Sequence, residues 1–309
     1  MPDRRHALAP RLAARGLPAP STRTLEILRD IVDEGVLGAS KHVALALPLI
    51  ARLSADGPDR TTAWRVAVET AAFVAETRGA AAPIVANALR WQMDGVEAAP
   101  AERRAAVLAE RAADWDAAAR DRRAALVARA VEAIAACSAP LAFDYSSTVA
   151  DVIAARAARG GLVRIVIPES RAVDGGRRYV EAFGALGVPM AVTPDAAVDY
   201  AVGLCDAVLL GAESVSRDGG VVNTIGSAPH ARAAAATGKP VYGCADLFKV
   251  GDVAAADWPA PPVRGYAFLP GQGAAPEIEM VPPALVTALL TEAGALAPAD
   301  LAAAAARRT

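Results

Sequence analysis

The chain has 309 residues, of which 54% are apolar, and carries 32 Lys and Arg against 34 Asp and Glu. That length holds one large or two modest domains with a sizeable core. A net charge of −2 offers no basic field for nucleic acid, so a nucleic-acid partner is not expected.

The opening stretch "MPDRRHALAPRLAARG" is charged and lacks a compact apolar segment, which predicts a frayed tail rather than a secretion signal. "STRTLEILRDIVDEG" follows, with Ser21 or Thr22 as helix cap and Leu25, Leu28, Ile31 and Val32 on one face. "KHVALALPLIARLSADG" and "TTAWRVAVETAAFVAETRG" continue in the same style, and the apolar run in the first is too short to span a bilayer. No membrane partner is therefore expected. "AAPAERRAAVLAERAADWDAAARDRRAALVARAVEAIAAC" reads as a long helix or helix pair with a solvated, ion-paired face. Residues 1–135 are thus expected to form an N-terminal helical domain.

From residue 136 to 309 the pattern changes. The short apolar runs "APLAF", "LVRIVI", "VPMAV", "AVLL" and "PVYGC" alternate with the amphipathic stretches "STVADVIAARAARG", "GRRYVEAFGALG", "AAVDYAVGL" and "SAPHARAAAATG". This alternation predicts an α/β class: a Rossmann-like parallel sheet covered on both faces. Cys137, Cys205 and Cys244 stand in apolar contexts without metal-ligand spacing, which predicts buried free thiols in a reducing cytosol.

Such a sheet binds ligands beyond the carboxyl ends of its strands. Every predicted strand is followed there by an acid: Asp144, Glu169, Asp195, Glu213 and Asp246. Ser146, Ser147 and Asp195 are suited to capping helices, and Asp246 to capping "LFKV". Asp144 and Glu213 are each followed by a turn, and two acids at one sheet edge shift each other's pKa when close. No G-x-G-x-x-G follows the first strand and there is no Walker lysine loop, so no nucleotide cofactor is expected. The turns "VDGGRR" and "DGGVVN" are able to present backbone N–H groups to a phosphate. His6, His42 and His230 have neither metal nor triad spacing, and no metal site is expected.

"GAESVSRDGGVVNTIGSAPHARAAAATGKPVYGCADLFKV", "PESRAVDGG", "TPDAAVDYAV" and "MVPPALVTALLTEAGALAP" together resemble the translation initiation factor 2B alpha/beta/delta family. That family includes ribose-1,5-bisphosphate isomerase and methylthioribose-1-phosphate isomerase. "ETRGAAAPIVANALR" and the "GAS" turn at Gly38, Ala39 and Ser40 resemble the isomerases more loosely. The resemblance implies an N-terminal helical domain, a Rossmann-like domain, and a homodimer. It sets Asp144 where the isomerases have a catalytic cysteine and Glu213 where they have a catalytic aspartate. Their asparagine–lysine pair becomes Asn223–Thr224, while Arg78 and Arg171 match arginines that bind phosphate and sugar. Gly38 lacks the arginine often found before this turn. The "GAE" turn and the Phe248–Lys249 pair resemble the initiation-factor alpha subunit instead.

Three readings follow. The first is a cytoplasmic isomerase that interconverts a phosphorylated aldose and ketose by proton transfer through Asp144 and Glu213. The second is a non-catalytic regulatory protein that binds a sugar phosphate, and the third is a dimerisation module. The resemblance and the apolar "PPALVTALLTEAGALA" together lead to the expectation of a two-fold homodimer through the α/β domains.

Overall fold

The computed structural model describes residues 4–34, 38–57, 59–261, 263–265 and 274–308. It divides the chain into two compact units that meet at Ala119 and Arg120. The first unit is helical: α1 (Leu8–Ala13), α2 (Thr22–Val32), α3 (Ala39–Ala55), α4 (Arg60–Thr77), α5 (Pro83–Met93) and the opening turns of α6 (Ala101–Ala133). The change of sequence pattern near residue 136 falls just after α6, whereas the units divide inside that helix.

Ser21 rather than Thr22 caps α2, its hydroxyl accepting the Thr24 N–H. The long "AAPAERR…" segment is one helix and not a pair. The opening stretch departs from the expectation of a frayed tail. Leu8 and Leu12, one helical turn apart, are fully buried. Arg11 between them is held by Glu69 and Glu76. Two apolar anchors and a shared ion pair are enough to seat so short a helix on α4. Residues 1–3 lie outside the described residues.

The second unit runs β1 (Pro140–Phe143), α7 (Ser147–Ala158), β2 (Ile165–Pro168), α8 (Gly175–Phe183), β3 (Met190–Thr193), α9 (Val198–Leu204), β4 (Ala207–Gly211), β5 (Ser214–Val215), β6 (Val221–Thr224), α10 (Ser227–Ala236) and β7 (Val241–Cys244). It continues through β8 (Val263–Gly265), β9 (Ala274–Pro276), β10 (Ile278–Val281), β11 (Ala288–Thr291), β12 (Gly294–Leu296) and α11 (Leu301–Ala305). The main sheet has the order β12-β11-β7-β4-β1-β2-β3. All its pairings are parallel except β11 with β12. The α/β class is as the sequence implies.

Side chains alternate across the strands and so feed two cores. Leu141, Phe143, Val208 and Leu210 face one way, toward Ala201 of α9, Ala231 of α10 and Leu301 of α11. Ala142, Ala207 and Leu209 face the other way, toward Val152 of α7, Tyr179 of α8 and Leu126 of α6. With both faces covered, the strands read as continuous apolar runs, and this is why they were visible in the sequence.

The C-terminal apolar segment contributes to the sheet. Leu289 and Leu290 are fully buried as part of β11, inside the chain's own sheet. A separate antiparallel sheet, β10-β6-β5, carries Asn223 and Thr224.

Candidate functional site

The strand order sets the site. From β1 the chain steps outward to β2 and β3, then returns to place β4 on the other side of β1. Ligand crevices form where connections diverge in this way, at the carboxyl ends of the two central strands. Phe143 is in register with Leu210, so Asp144 leaves β1 beside Gly211, and Glu213 follows two residues later. The two acids singled out in the sequence therefore follow the two strands that flank the switch point.

Asp144 is half-buried and has φ 55°, a left-handed conformation unusual for a residue with a side chain. Its Oδ1 accepts the Ser170 hydroxyl at 3.1 Å and its Oδ2 accepts the Thr224 hydroxyl at 2.5 Å. Ser170 is itself left-handed, with φ 47°, and 1% exposed. The Asp195 carboxylate takes the backbone N–H of Ser170 at 2.9 Å and that of Arg171 at 2.7 Å. Asp195 is thus a loop brace and not the helix cap anticipated for it. Gly175 opens α8 directly against the Asp144 carboxylate, where an added Cβ would lie 2.0 Å from Asp144 Oδ1. Only glycine fits there.

Glu213 is exposed, and its backbone N–H is tied to Val222 O at 2.9 Å. Lys249 braces the same turn from the β7 side, its Nζ donating to Ala212 O at 2.6 Å. Asn223 is 5% exposed and donates to the Ser227 hydroxyl, which in turn donates to Thr224 O at 2.7 Å. Arg171 is half-exposed near Glu169, the closest N···O distance being 3.5 Å.

The glycine turns do not cradle an anion. The N–H groups of Gly175 and Gly176 go to the carbonyls of Ser170 and Glu169, and that of Gly220 goes to the Ser216 hydroxyl. The start of α10 is filled by Glu279 of β10, whose Oε1 accepts the N–H of Gly226 at 2.6 Å and of Ala228 at 2.9 Å. Ser146 caps α7, as its sequence position indicates, and Asp246 caps the turn at Leu247–Lys249.

His230, within α10, is 1% exposed and packs against Phe143, the rings tilted by 31° with centroids 4.5 Å apart. Its Nδ1 bonds Gly226 O at 2.7 Å, while Nε2 has no partner among the described residues. Burial pushes its pKa below the ordinary histidine value, against the smaller opposing effect of the Gly226 bond. Burial also raises the three thiols, Cys205 to about 11 and Cys244 to about 12. Burial and the neighbouring Asp206 raise Cys137 as well.

The remaining sequence candidates belong to the first unit. Gly38, with φ 106°, is the cap position of α3, and Ala39 and Ser40 begin the helix. Arg78 closes α4, its Nε donating to His42 Nδ1 at 3.0 Å and its Nη2 pairing with Glu34 at 3.1 Å. Within the second unit, Asp144 and Thr224 are brought together directly. Ser170 and Glu279 were missed as site-builders. Nothing in "PESRAVDGG" announces a left-handed serine, and β10 has no strong strand pattern.

The sequence profile of the Initiation factor 2 subunit family matches residues 44–260. The chain belongs to that family. Over 241 residues it is 32% identical to a methylthioribose-1-phosphate isomerase of Parasynechococcus marenigrum, covering 68% of this chain and 70% of that protein. A shorter match, 32% over 109 residues, is to the translation initiation factor eIF2B subunit alpha of Caenorhabditis elegans; it covers 35% of this chain and 36% of that relative. The chain thus spans about a third of the initiation-factor subunit it matches. The crystal structure of the Pyrococcus horikoshii translation initiation factor eIF-2B superposes with a TM-score of 0.72 at 21% identity, covering 90% of this chain and 98% of that one. This superposition establishes the shared fold. The family thus joins sugar-phosphate isomerases and initiation-factor subunits on one architecture.

Proposed function

We propose that the chain is a sugar-phosphate isomerase that moves a proton between adjacent carbons of a phosphorylated aldose and its ketose. The observation that carries this reading is the pairing of β1 with β4, which sets Asp144 and Glu213 after the two strands of the switch point. Asp144 in its carboxylate form takes the proton from C2. The released electron pair forms the C1–C2 double bond as the bond from C1 to the ring oxygen breaks, and that oxygen takes a proton from the acid form of Glu213. Asp144 then gives the proton to C1 while the C2 hydroxyl gives its proton to the Glu213 carboxylate, which leaves the ketose carbonyl at C2 and restores both side chains.

Asn223 is proposed as a hydrogen-bond donor near the reacting end, and Thr224 holds Asp144. Arg78, Arg171 and the Gly38–Ser40 turn are proposed to bind the phosphorylated substrate. No helix among the described residues is long and apolar enough to cross a membrane. A cytoplasmic location is part of the proposal. We also propose a homodimer. Val192 on edge strand β3 is 57% exposed and Tyr200 on α9 is 64% exposed, apolar surface that a second copy would cover.

The test is direct isomerisation, followed by NMR, of methylthioribose 1-phosphate and ribose 1,5-bisphosphate. Asp144→Asn and Glu213→Gln keep shape and remove the titrating proton. Each is expected to cut turnover by roughly two to four orders of magnitude while leaving binding largely intact. Wild-type turnover in either variant removes that residue from the mechanism.

A second reading has its own observation. Both Asp144 oxygens are already engaged by internal hydroxyls, and Glu213 is exposed, as suits a binding protein without chemistry. Stabilisation by these sugars without turnover would favour this regulatory reading.

A further inference from the structure

Three separate segments converge on one carboxylate. The β1–α7 turn carries Asp144, the β2–α8 turn carries Ser170, and the end of β6 carries Thr224. Two of these three residues are non-glycine positions in the left-handed region. Such conformations persist only where the surrounding structure over-determines them, and they cluster where a side chain must be aimed. Each is over-determined here. Asp195 pins the Ser170 backbone, and Gly175 yields the space that Asp144 Oδ1 occupies.

The kind of donor matters as much as the number. A carboxylate that merely ties loops together is best served by backbone N–H groups, which are fixed donors. Asp144 is held by two hydroxyls, each a donor that also has acceptor capacity and turns about its C–O bond. With one hydroxyl on each oxygen, the carboxylate is fixed in plane yet keeps a further acceptor position on each atom. Ser170 is 1% exposed and Thr224 6%, so bulk water competes little for either bond.

Building on the isomerase reading, we propose that Ser170 and Thr224 are positioning residues that hold Asp144 as the proton acceptor of the pair, leaving Glu213 as the donor. In the step, the C2–H bond breaks and its proton goes to an Asp144 oxygen. The electron pair enters the C1–C2 bond as the bond from C1 to the ring oxygen breaks, and Glu213 gives its proton to that oxygen. Neither hydroxyl gains or loses a proton. Their contribution is geometric, since a carboxylate misplaced by a fraction of an ångström loses the near-attack geometry on which the transfer depends.

Thr224→Val removes the hydroxyl with little change of shape, Thr224→Ser restores it, and Ser170→Ala removes the second donor. The variants are assayed for isomerisation of methylthioribose 1-phosphate and ribose 1,5-bisphosphate, with melting temperature recorded for each. Thr224→Val is expected to lower kcat about 10- to 100-fold with KM within about threefold of wild type. Thr224→Ser should return kcat to within about threefold, and Ser170→Ala should fall between them. A purely structural role predicts a different pattern, with melting temperature falling while kcat per folded molecule is kept. If Asp144→Asn is inactive while folded Thr224→Val keeps wild-type kcat, the positioning role is overturned and the isomerase reading stands. If the wild-type protein turns over neither sugar, both fall together.

Discussion

The paired strands β1 and β4 carry a carboxylate at each end, and the two are held in opposite ways. At the amino end, Asp206 accepts the backbone N–H groups of Ser138 and Ala139, the Ser138 hydroxyl and the Cys137 thiol, all between 2.7 and 3.1 Å. Burial alone would raise this carboxyl. The bonds from Cys137, Ser138 and Ala139 outweigh it and hold the pKa below the ordinary aspartate value. At the carboxyl end, the oxygens of Asp144 accept from side-chain hydroxyls alone among the described residues, and its backbone is left-handed. Fixed amide donors make Asp206 a brace that ties the start of β4 to the chain entering β1. Rotatable donors and a left-handed backbone support the proposal that Asp144 is aimed at a substrate.

Gly175→Ala sharpens the contrast most. The new methyl would lie 2.0 Å from Asp144 Oδ1, so the carboxyl has to move. A loss of roughly 100-fold in sugar-phosphate turnover is expected, measured as kcat, with a much smaller change in melting temperature. Asp206→Ala should do the opposite. It strands the Ser138 and Ala139 donors and is expected to cost about 2–4 kcal/mol in urea unfolding while kcat of the folded enzyme is kept. Similar effects on both properties from both variants would erase the distinction.

His230 offers a smaller test on the face of β1 that leads to Asp144. Its folded pKa lies below the ordinary value, so below about pH 6.5 the unfolded chain binds a proton that the folded chain does not. The linked stability is present above that pH and is lost as pH falls toward the folded pKa. The slope is at most about 1.4 kcal/mol per pH unit. His230→Gln should flatten it, as measured by denaturant midpoints between pH 7 and 5; an unchanged slope would assign it to other groups.

Strands β1, β2, β4 and β7 were legible because apolar runs buried between two covered faces leave a strong mark, and edge strand β3 was legible through the apolar run "VPMAV". β11 was not, since "ALLT" sits in an alanine- and leucine-rich segment that suits a helix as well as a strand. Asp144 and Glu213 were found from their place after strands, a local signal. Their surroundings were hidden because the partners of Asp144 lie 26 and 80 residues away in the chain. The acid at a strand end can be read locally, whereas the hydroxyls that hold it depend on tertiary packing.

The central claim is that Asp144 is held for proton transfer and not for stability. Asparagine keeps its shape and tolerates the left-handed backbone better than most residues. The deciding measurement is NMR-monitored isomerisation by Asp144→Asn, with its melting temperature taken on the same sample. The expected result is turnover reduced by at least about 100-fold at an unchanged or slightly higher melting temperature. Wild-type turnover, or a large loss of stability like that expected for Asp206→Ala, would contradict it.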